Sequence, residues 1–351
     1  RRHTRCSRDW SSDVCSSDLL VEFSGVIAAA LVVGIGGWLV HRDTVSLGTV
    51  VAFILLLSSL FDPVQQLSQL YNGVQSAAAA LHKLYGILDH KPEVDEAPDA
   101  VDLPRRGVLA VSGVEFTYQA GTQPALVGAD LVVTDGERIA LVGPTGAGKS
   151  TLAKLMARLY DPTVGSVSYG GTNLRDATMV SLRERIVVVP QEGFLFNGTI
   201  RENVRLARIA ATDTEVESAL ARLGILEHFE RLPEGLDTEV RERGSRLSAG
   251  ERQLVALGRA ALVDPAVLVL DEATSNLDPG TETEVEAALE RLMQGRTTIV
   301  VAHRLTTVQR ADRIVVVDKA RIVEVGSHNE LVALGGKYAA LARAWEKSHA
   351  L

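Results

Sequence analysis

Two long apolar runs dominate the hydrophobic pattern of the first part of the chain. From Leu20 to Val40 the residues are mainly Val, Ile, Leu, Ala and Gly, with Glu22 near the start and the polar triplet His41–Asp43 after the end. A helix needs roughly 20 apolar residues to cross the hydrocarbon core of a bilayer. A carboxylate near one end of the span costs less than the roughly 3 kcal/mol expected at its centre. The pattern therefore predicts a membrane-spanning helix with Glu22 at the interface.

The second run, Leu47–Asp89, changes character along its length. It begins with apolar residues, passes Asp62 and Pro63, and becomes amphipathic where glutamines and Asn72 occur. One continuous helix of this length would extend roughly 60 Å at about 1.5 Å per residue, enough to cross a bilayer and continue into the cytosol. We expect Pro63 to kink it, because proline removes a backbone hydrogen bond.

Beyond residue 90 the pattern becomes that of an α/β domain. Prolines and acidic residues in 91–107 indicate a linker. From 108 to 346, apolar runs typical of buried strands alternate with helical patterns, which predicts a doubly wound sheet. A helix-rich insertion is expected from about 192 to 261. The apolar runs that precede polar residues are Arg138–Val142, Ile186–Pro190, Ala266–Leu270 and Thr297–Ala302.

A glycine-rich loop comes directly after the first of these runs. Residues 143–151 read GPTGAGKST and open a helix-forming stretch. Backbone N–H groups of such a loop and of the following helix N-terminus converge on phosphate. Lys149 would reach the β- and γ-phosphates, and the Ser150 hydroxyl would be a Mg²⁺ ligand. The sequence therefore predicts a nucleoside triphosphate site. Its residues are Gly143, Pro144, Thr145, Gly146, Ala147, Gly148, Lys149, Ser150 and Thr151.

Polar or aromatic residues at other positions supply candidate chemistry. Tyr118, upstream of the loop, can stack on an adenine ring. Gln191 comes after a strand, and strand ends are where open α/β sheets build their sites. Asp271 fits the Mg²⁺-holding carboxylate of a P-loop NTPase, and the adjacent Glu272 could polarise the attacking water as general base. His303, after another strand, could bond the γ-phosphate, although a lone histidine is more often packed or solvated.

A short motif, Leu247–Glu251, reads LSAGE and precedes the strand that ends at Asp271. With this motif the chain resembles the ATP-binding subunit of the ATP-binding cassette (ABC) transporters, an α/β P-loop NTPase with a helical subdomain. The resemblance implies that two copies pair head to tail, with each ATP between the phosphate loop of one copy and Ser248 and Gly250 of the other. Asp278 would lie at the same interface between the two copies.

The resemblance also assigns roles within the site. It implies that Gln191 is a Mg²⁺ ligand beside Ser150 and Asp271. It also implies that Gln191 takes part in catalysis with Glu272 and His303. The motif departs from the usual pattern at Ala249 and Glu251, where Gly and Gln are commoner. Because Ser248 and Gly250 are retained, we expect a working site. ATP and Mg²⁺ are the implied cofactors.

The remaining segments resemble the exporter branch of the family. Residues 20–90 are similar to the last two membrane helices of an exporter half-transporter, and Thr238–Gly244 is similar to the segment that contacts the intracellular loops. This implies an ATP-hydrolysing subunit of a multi-pass plasma-membrane exporter with its ATPase in the cytoplasm. The partner would be an identical or different half-transporter, and the cargo a small molecule, lipid or peptide. Such half-transporters carry six membrane helices, so we expect a C-terminal fragment that cannot form a complete pathway alone.

Two other functions share these motifs. One is a membrane-attached ABC ATPase that acts in tethering or assembly without transport. The other is a soluble ABC ATPase of DNA maintenance, against which the membrane-length runs and the absence of long coiled-coil insertions argue. The formal net charge of -8 also argues against a nucleic-acid partner.

Residues 1–19, RRHTRCSRDWSSDVCSSDL, differ in composition from the rest of the chain. Their repeated Cys, Ser and Asp predict a non-native or disordered extension. Both cysteines, Cys6 and Cys15, lie in this segment. A chain otherwise free of cysteine is consistent with a reducing compartment for the ATPase.

Overall fold

The structure is a computed structural model that describes residues 23–89, 92–119, 121, 123–191, 193–241, 244, 246–271, 279–302 and 305–349. The chain divides into two compact units between Pro92 and Glu93. The predicted extension, residues 1–19, lies outside the described residues.

Two helices make up the described part of the first unit. Helix α1 (Phe23–His41) has 19 residues and α2 (Leu47–Leu88) has 42, and both are long and apolar enough to cross a membrane. The Ser46 Oγ caps α2 by accepting a hydrogen bond from Thr49 N at 3.2 Å. Helix α2 continues through Pro63. Both predicted apolar helices are therefore present.

The two helices contact each other near their connection. A Cβ added to Gly36 would lie 2.8 Å from Val50, so the small residue allows α1 to approach α2. Beside this contact is an open apolar groove of about 320 Å³. The Arg42 guanidinium lies 4.1 Å from the centre of the Trp38 ring, just after α1. An aromatic and a basic residue at a helix end are typical of a membrane interface.

A six-stranded sheet forms the centre of the second unit, in the order β10-β9-β3-β8-β7-β6. All neighbouring strands are parallel except β10, which runs antiparallel to β9. The carboxyl ends of the parallel strands therefore meet at one edge. The strands are β3 (Arg138–Val142), β6 (Ile186–Val189), β7 (Val267–Asp271), β8 (Thr297–Val301), β9 (Arg313–Asp318) and β10 (Arg321–Gly326).

A second, antiparallel sheet has four strands in the order β2-β1-β4-β5. It was not predicted, since the alternation of strand and helix patterns indicated a doubly wound sheet and gave no sign of a second one. The segment between β1 and β2 is too short for the crossover of a dozen or more residues that parallel pairing needs. These strands are β1 (Leu109–Phe116), β2 (Leu126–Val133), β4 (Val164–Tyr169) and β5 (Thr172–Asn173).

Side chains alternate across the six-stranded sheet, so both of its faces are buried. In β7, Val267 and Val269 join the core between the two sheets, whereas Leu268 and Leu270 join the core of the helical region. Helix α3 (Lys149–Met156) packs into the core between the sheets through Leu152. The remaining helices around the sheet are α4 (Met179–Arg185), α9 (Pro279–Met293), α10 (Leu305–Gln309), α11 (His328–Leu334) and α12 (Lys337–His349).

A helical subdomain lies between β6 and β7 in the chain. It contains α5 (Ile200–Arg205), α6 (Asp213–Leu223), α7 (Leu226–Glu230) and α8 (Ala249–Val263). Their apolar faces share one core, in which Leu220, Phe229 and Leu254 are fully buried. The predicted helix-rich insertion is therefore confirmed for the residues that the structure describes.

A buried arginine attaches residues 93–107, most of the predicted linker 91–107, to the ATPase core. Arg158 is only 2% exposed, and its guanidinium donates to Asp95 O at 2.7 Å and to Ala177 O at 3.3 Å. It also forms an ion pair with Asp161 at 3.3 Å. Leu103 of the same segment is buried and donates its N–H to Ser181 Oγ at 3.0 Å. These residues belong to the second unit.

Candidate functional site

The predicted phosphate loop lies at the carboxyl edge of the six-stranded sheet. It leaves β3, which pairs with β8 on one side and β9 on the other, and it ends at the first turn of α3. Pro144, Thr145 and Gly146 are exposed, whereas Ala147 and Thr151 are buried. The loop thus presents its tip outward while both of its ends are fixed in the core.

Two of the loop glycines are required by close backbone approaches. Gly143 has φ 145°, and a Cβ there would collide with Val317 O of β9. Gly148 has φ 110°, and its Cβ would lie 2.6 Å from Ala125 O. Gly146 also has a positive φ of 78°, but the space around it is open. Larger residues are therefore excluded at the loop ends by neighbouring carbonyls and at Gly146 by backbone conformation alone.

The β9–β10 turn holds the loop in place. Ala320 N donates to Ala147 O at 3.0 Å, and Ala320 O accepts from Val127 N at 2.8 Å. Both turn residues, Lys319 and Ala320, have positive φ values. This turn was not predicted, because neither residue type signals a left-handed backbone.

Lys149 is the first residue of α3, and its side chain is folded over the loop. The residue is 5% exposed, and Nζ donates to Gly143 O at 2.8 Å and to Pro144 O at 3.0 Å. These carbonyls hold the ammonium group at the mouth of the loop. A buried cation next to converging backbone N–H groups favours an anionic ligand.

Ser150 and Asp271 approach each other although 121 residues separate them in the chain. The Ser150 Oγ lies 3.4 Å from Asp271 Oδ1, across the edge where β7 ends. Two oxygens bound to one Mg²⁺ at about 2.1 Å and at right angles would be about 3.0 Å apart, close to this separation. Within the described residues there is no group of three or more His, Cys, Asp or Glu side chains able to hold a metal. A site of one hydroxyl and one carboxylate fits Mg²⁺, which commonly takes its other ligands from water and substrate phosphates.

Gln191 lies at the same edge, just after β6. Its strand pairs with β7 in parallel, with Val189 opposite Leu270. Gln191 is exposed. The backbone before it is tied to α8, because Gln253 Nε2 donates to Pro190 O at 3.3 Å. The structure thus places Gln191 at the carboxyl end of the strand next to Asp271.

Tyr118 lies near the start of α3, at the edge of an aromatic cluster. Its ring is nearly perpendicular to those of Phe116 and Tyr160, with centroids 4.9 and 5.3 Å away. Its hydroxyl is 3.2 Å from Thr151 Oγ1. The residue remains 47% exposed, so the cluster supports the ring without covering it. Tyr118 was proposed from the sequence as a stacking residue, whereas its supporting contacts were not predicted, because they form only in the folded chain.

Ser248 and Gly250 lie at the N-terminus of α8. Ser248 is exposed and its Oγ accepts from Glu251 N at 3.1 Å, while Glu251 Oε2 accepts from Ser248 N at 2.6 Å. This is a capping box, which the order Ser-x-x-Glu in the sequence signals directly. Gly250 is buried, and a Cβ there would lie 2.5 Å from Thr281 of α9. Glu251, noted as a departure from the usual pattern, therefore has a structural role.

Three predicted site residues, Glu272, Asp278 and His303, lie outside the described residues. Their roles stay predictions from the sequence. The structure describes Asp271, immediately before the first of them, and helix α9, which begins immediately after Asp278.

Comparison with known proteins adds independent findings. Residues 113–275 match a family model described as ABC transporter. The chain is 43% identical over 320 residues to an ATP-dependent lipid A-core flippase of Desulfotalea psychrophila, covering 91% of this chain and 56% of that protein. It is 44% identical over 305 residues to a β-(1→2)glucan export ATP-binding/permease protein of Nitrobacter winogradskyi, covering 87% and 50%.

This chain is also similar to a solved structure. A bacterial Atm1-family ABC exporter with ATP bound has a TM-score of 0.71 and 34% sequence identity, covering 99% of this chain and 61% of the other. The chain spans about half the length of the curated relatives that it matches.

Proposed function

Because this chain belongs to the ABC transporter family, we propose that it binds and hydrolyses ATP as one half of a paired exporter. The hydrolysis would power movement of a substrate across a membrane. The proposal combines three parts, an ATP site, a pairing surface and a membrane attachment, each supported by different residues.

The main support for the proposal is the position of Ser150, Asp271 and Lys149 at one edge of the sheet. A 3.4 Å separation between a loop hydroxyl and a strand-end carboxylate fits a shared Mg²⁺, and the adjacent ammonium favours the phosphates. A bound Mg²⁺ would neutralise charge that develops on the phosphates. Gln191, at the end of the neighbouring strand, is a further candidate ligand. Lys149 would exchange its two loop carbonyls for phosphate oxygens when ATP binds.

Hydrolysis requires a base and a group that senses the γ-phosphate. We assign the base to Glu272, which comes directly after Asp271 and can polarise water. We assign the γ-phosphate contact to His303. Tyr118 would stack on the adenine, since its ring is supported from behind and exposed in front.

Pairing of two ATPase domains is the second part of the proposal. Ser248 is exposed at the start of α8, where a partner's ATP could accept hydrogen bonds from its hydroxyl and from nearby backbone N–H groups. Asp278 would lie at the same interface. A ligand bound between two copies stabilises the pair by mass action. The partner can be a second copy or a different half-transporter.

Helices α1 and α2 support the third part. Both are long and apolar enough to span a membrane, and relatives with export functions match over most of this chain. We propose a membrane location with the ATPase in the cytoplasm. Closure of the ATPase pair would then act on the membrane helices, moving a small molecule, lipid or peptide.

The Mg²⁺ site is tested by comparing ATP affinity with and without Mg²⁺. For the purified full chain, Ser150→Ala and Asp271→Asn should remove most of the gain in affinity that Mg²⁺ provides. Asp264→Asn is the matched control, because Asp264 precedes the opposite end of the same strand β7. An unchanged Mg²⁺ effect in both site variants would contradict the assignment.

Two further measurements separate the proposed exporter from the alternatives. Retention of the chain in membranes after carbonate extraction is expected, whereas release would favour a soluble ATPase. For transport, the vesicles must hold this chain together with the other membrane helices expected of a half-transporter. ATP-dependent accumulation of a labelled lipid, drug or peptide in such vesicles would support export, and hydrolysis without accumulation in them would favour a tether.

A further inference from the structure

A histidine connects the start of α8 to helix α9. His228 of α7 lies with Nδ1 2.7 Å from Glu284 Oε2 and with Nε2 3.6 Å from Glu251 Oε1. We call these three residues the signature brace. The side chains of His228 and Glu251 are only 21% and 18% exposed, whereas that of Glu284 is 45% exposed. The imidazole therefore lies between two carboxylates from two different helices.

The brace acts on the residue predicted to contact the partner's ATP. One oxygen of Glu251 faces His228, and the other accepts the hydrogen bond from Ser248 N at 2.6 Å. The orientation of the Glu251 carboxylate thus fixes the backbone at Ser248. A side chain that holds this carboxylate also holds the capping box.

The other end of the brace is attached to α9. This helix begins at Pro279, directly after the segment that contains Glu272 and Asp278. The same helix is packed tightly against α8, since a Cβ on Gly250 would lie 2.5 Å from Thr281. Two contacts, one through the brace and one at Gly250, therefore join the motif at Ser248 to the helix that comes after the predicted catalytic segment.

We propose that His228 is a positioning residue for ATP hydrolysis. By contacting both Glu251 of α8 and Glu284 of α9, it sets the position of Ser248 relative to α9 of the same chain. The two ATP sites of a pair each take residues from both chains, so this position affects assembly of the closed pair. The inference rests on the proposed function, because Ser248 matters to catalysis only if it contacts the partner's ATP.

His228→Ala is the direct test. In the detergent-purified full chain, ATP affinity without Mg²⁺ should stay unchanged, because the brace is not part of the phosphate loop. The turnover number should fall about two- to fivefold, as expected from the loss of a partly exposed histidine–carboxylate contact. His328→Ala is the matched control. That histidine also contacts a polar side chain, with Nδ1 hydrogen-bonded to Tyr338 OH at 2.6 Å, but it lies on α11.

A second variant shows whether the effect passes through Glu251. Glu251→Gln retains an oxygen that can accept from Ser248 N but removes the charge that faces His228. In the Glu251→Gln background, the change in the logarithm of the turnover number caused by His228→Ala should be less than half of the change that it causes in the wild-type chain. His228→Gln, which keeps a polar side chain with an N–H donor at this position, should restore part of the turnover and remains informative if the alanine variant does not fold.

The outcomes are distinct. Normal turnover in both His228 variants, with an active wild-type chain, would overturn the inference. An effect of equal size in the Glu251 and Glu251→Gln backgrounds would also overturn it, since the effect would not depend on the brace. Absence of hydrolysis by the wild-type chain would overturn the proposed function itself.

Discussion

Replacing Tyr118 by alanine should weaken ATP binding without unfolding the ATPase domain. The ring packs edgewise on Phe116 and Tyr160, and its outer part is exposed. A base stacked on an aromatic side chain contributes about 1–3 kcal/mol, so the dissociation constant should rise about 5- to 150-fold. The low end of this range applies if the adenine covers only part of the ring.

Tyr118→Phe separates stacking from the hydroxyl contact. It keeps the ring but removes the hydrogen bond to Thr151 Oγ1, which is 3.2 Å long and only partly buried. Such a bond contributes about 0.5–1.5 kcal/mol to the fold. We therefore expect a small loss of thermal stability and little change in ATP affinity for this variant.

Calorimetric titration with ATP in the absence of Mg²⁺ is the appropriate assay, because it measures affinity while hydrolysis is prevented. The wild-type chain, Tyr118→Ala and Tyr118→Phe should be compared at one protein concentration and one detergent concentration. Equal dissociation constants for the wild-type and alanine variants would refute the stacking role and leave Tyr118 as a structural residue of the aromatic cluster.

The structure supports three further predictions. Gly148→Ala should reduce ATP affinity and stability more than Gly146→Ala. Both residues have a positive φ, but only a Cβ at position 148 would collide with a backbone carbonyl. Denaturation and ATP titration of the two variants measure the difference. Arg158→Met should lower the free energy of unfolding by about 2–4 kcal/mol, because three acceptors lose their donor. The control Arg231→Met, at an exposed arginine, should change this free energy by about 0.5 kcal/mol or less. Urea denaturation measures both. The hydrogen bonds from the Ser327 backbone and side chain lower the pKa of Glu330 below its ordinary value. The Glu330 carboxylate therefore stabilises the fold at neutral pH, and this contribution disappears as pH falls through the folded-state pKa. The melting-temperature difference between the wild type and Glu330→Gln should vanish in acid.

Local patterns predicted the elements that carry the site. The run before Gly143 is β3, and the run that ends at Asp271 is β7. A continuous helix was expected from Leu47, and α2 begins there. Such features arise from apolar periodicity and from glycine spacing, which are encoded in neighbouring residues.

Contacts between distant segments were not predictable in the same way. The turn at Ala320 fixes the phosphate loop, yet its sequence carries no turn signal. The position of Thr151 under Tyr118 depends on how β1 and α3 pack. The brace through His228 requires three helices to converge, and only its Ser248–Glu251 part is visible as a sequence pattern. Tertiary packing decides such contacts.

The catalytic role of the segment after Asp271 is a prediction from sequence alone. Glu272 lies outside the described residues, and its role depends on its place directly after Asp271. Substituting Glu272 by Gln preserves size and hydrogen bonding but removes the charge required of a base. This substitution therefore tests the hydrolysis that we assign to the chain.

The most direct test is the rate of Mg²⁺-dependent ATP hydrolysis by the purified wild-type chain, measured beside ATP binding in the Glu272→Gln variant. We expect hydrolysis by the wild type, its near-complete loss in the variant, and an unchanged ATP dissociation constant. Near-normal hydrolysis by the variant would remove Glu272 from the base role, and absence of hydrolysis by the wild type would contradict the proposal that this chain is an ATPase.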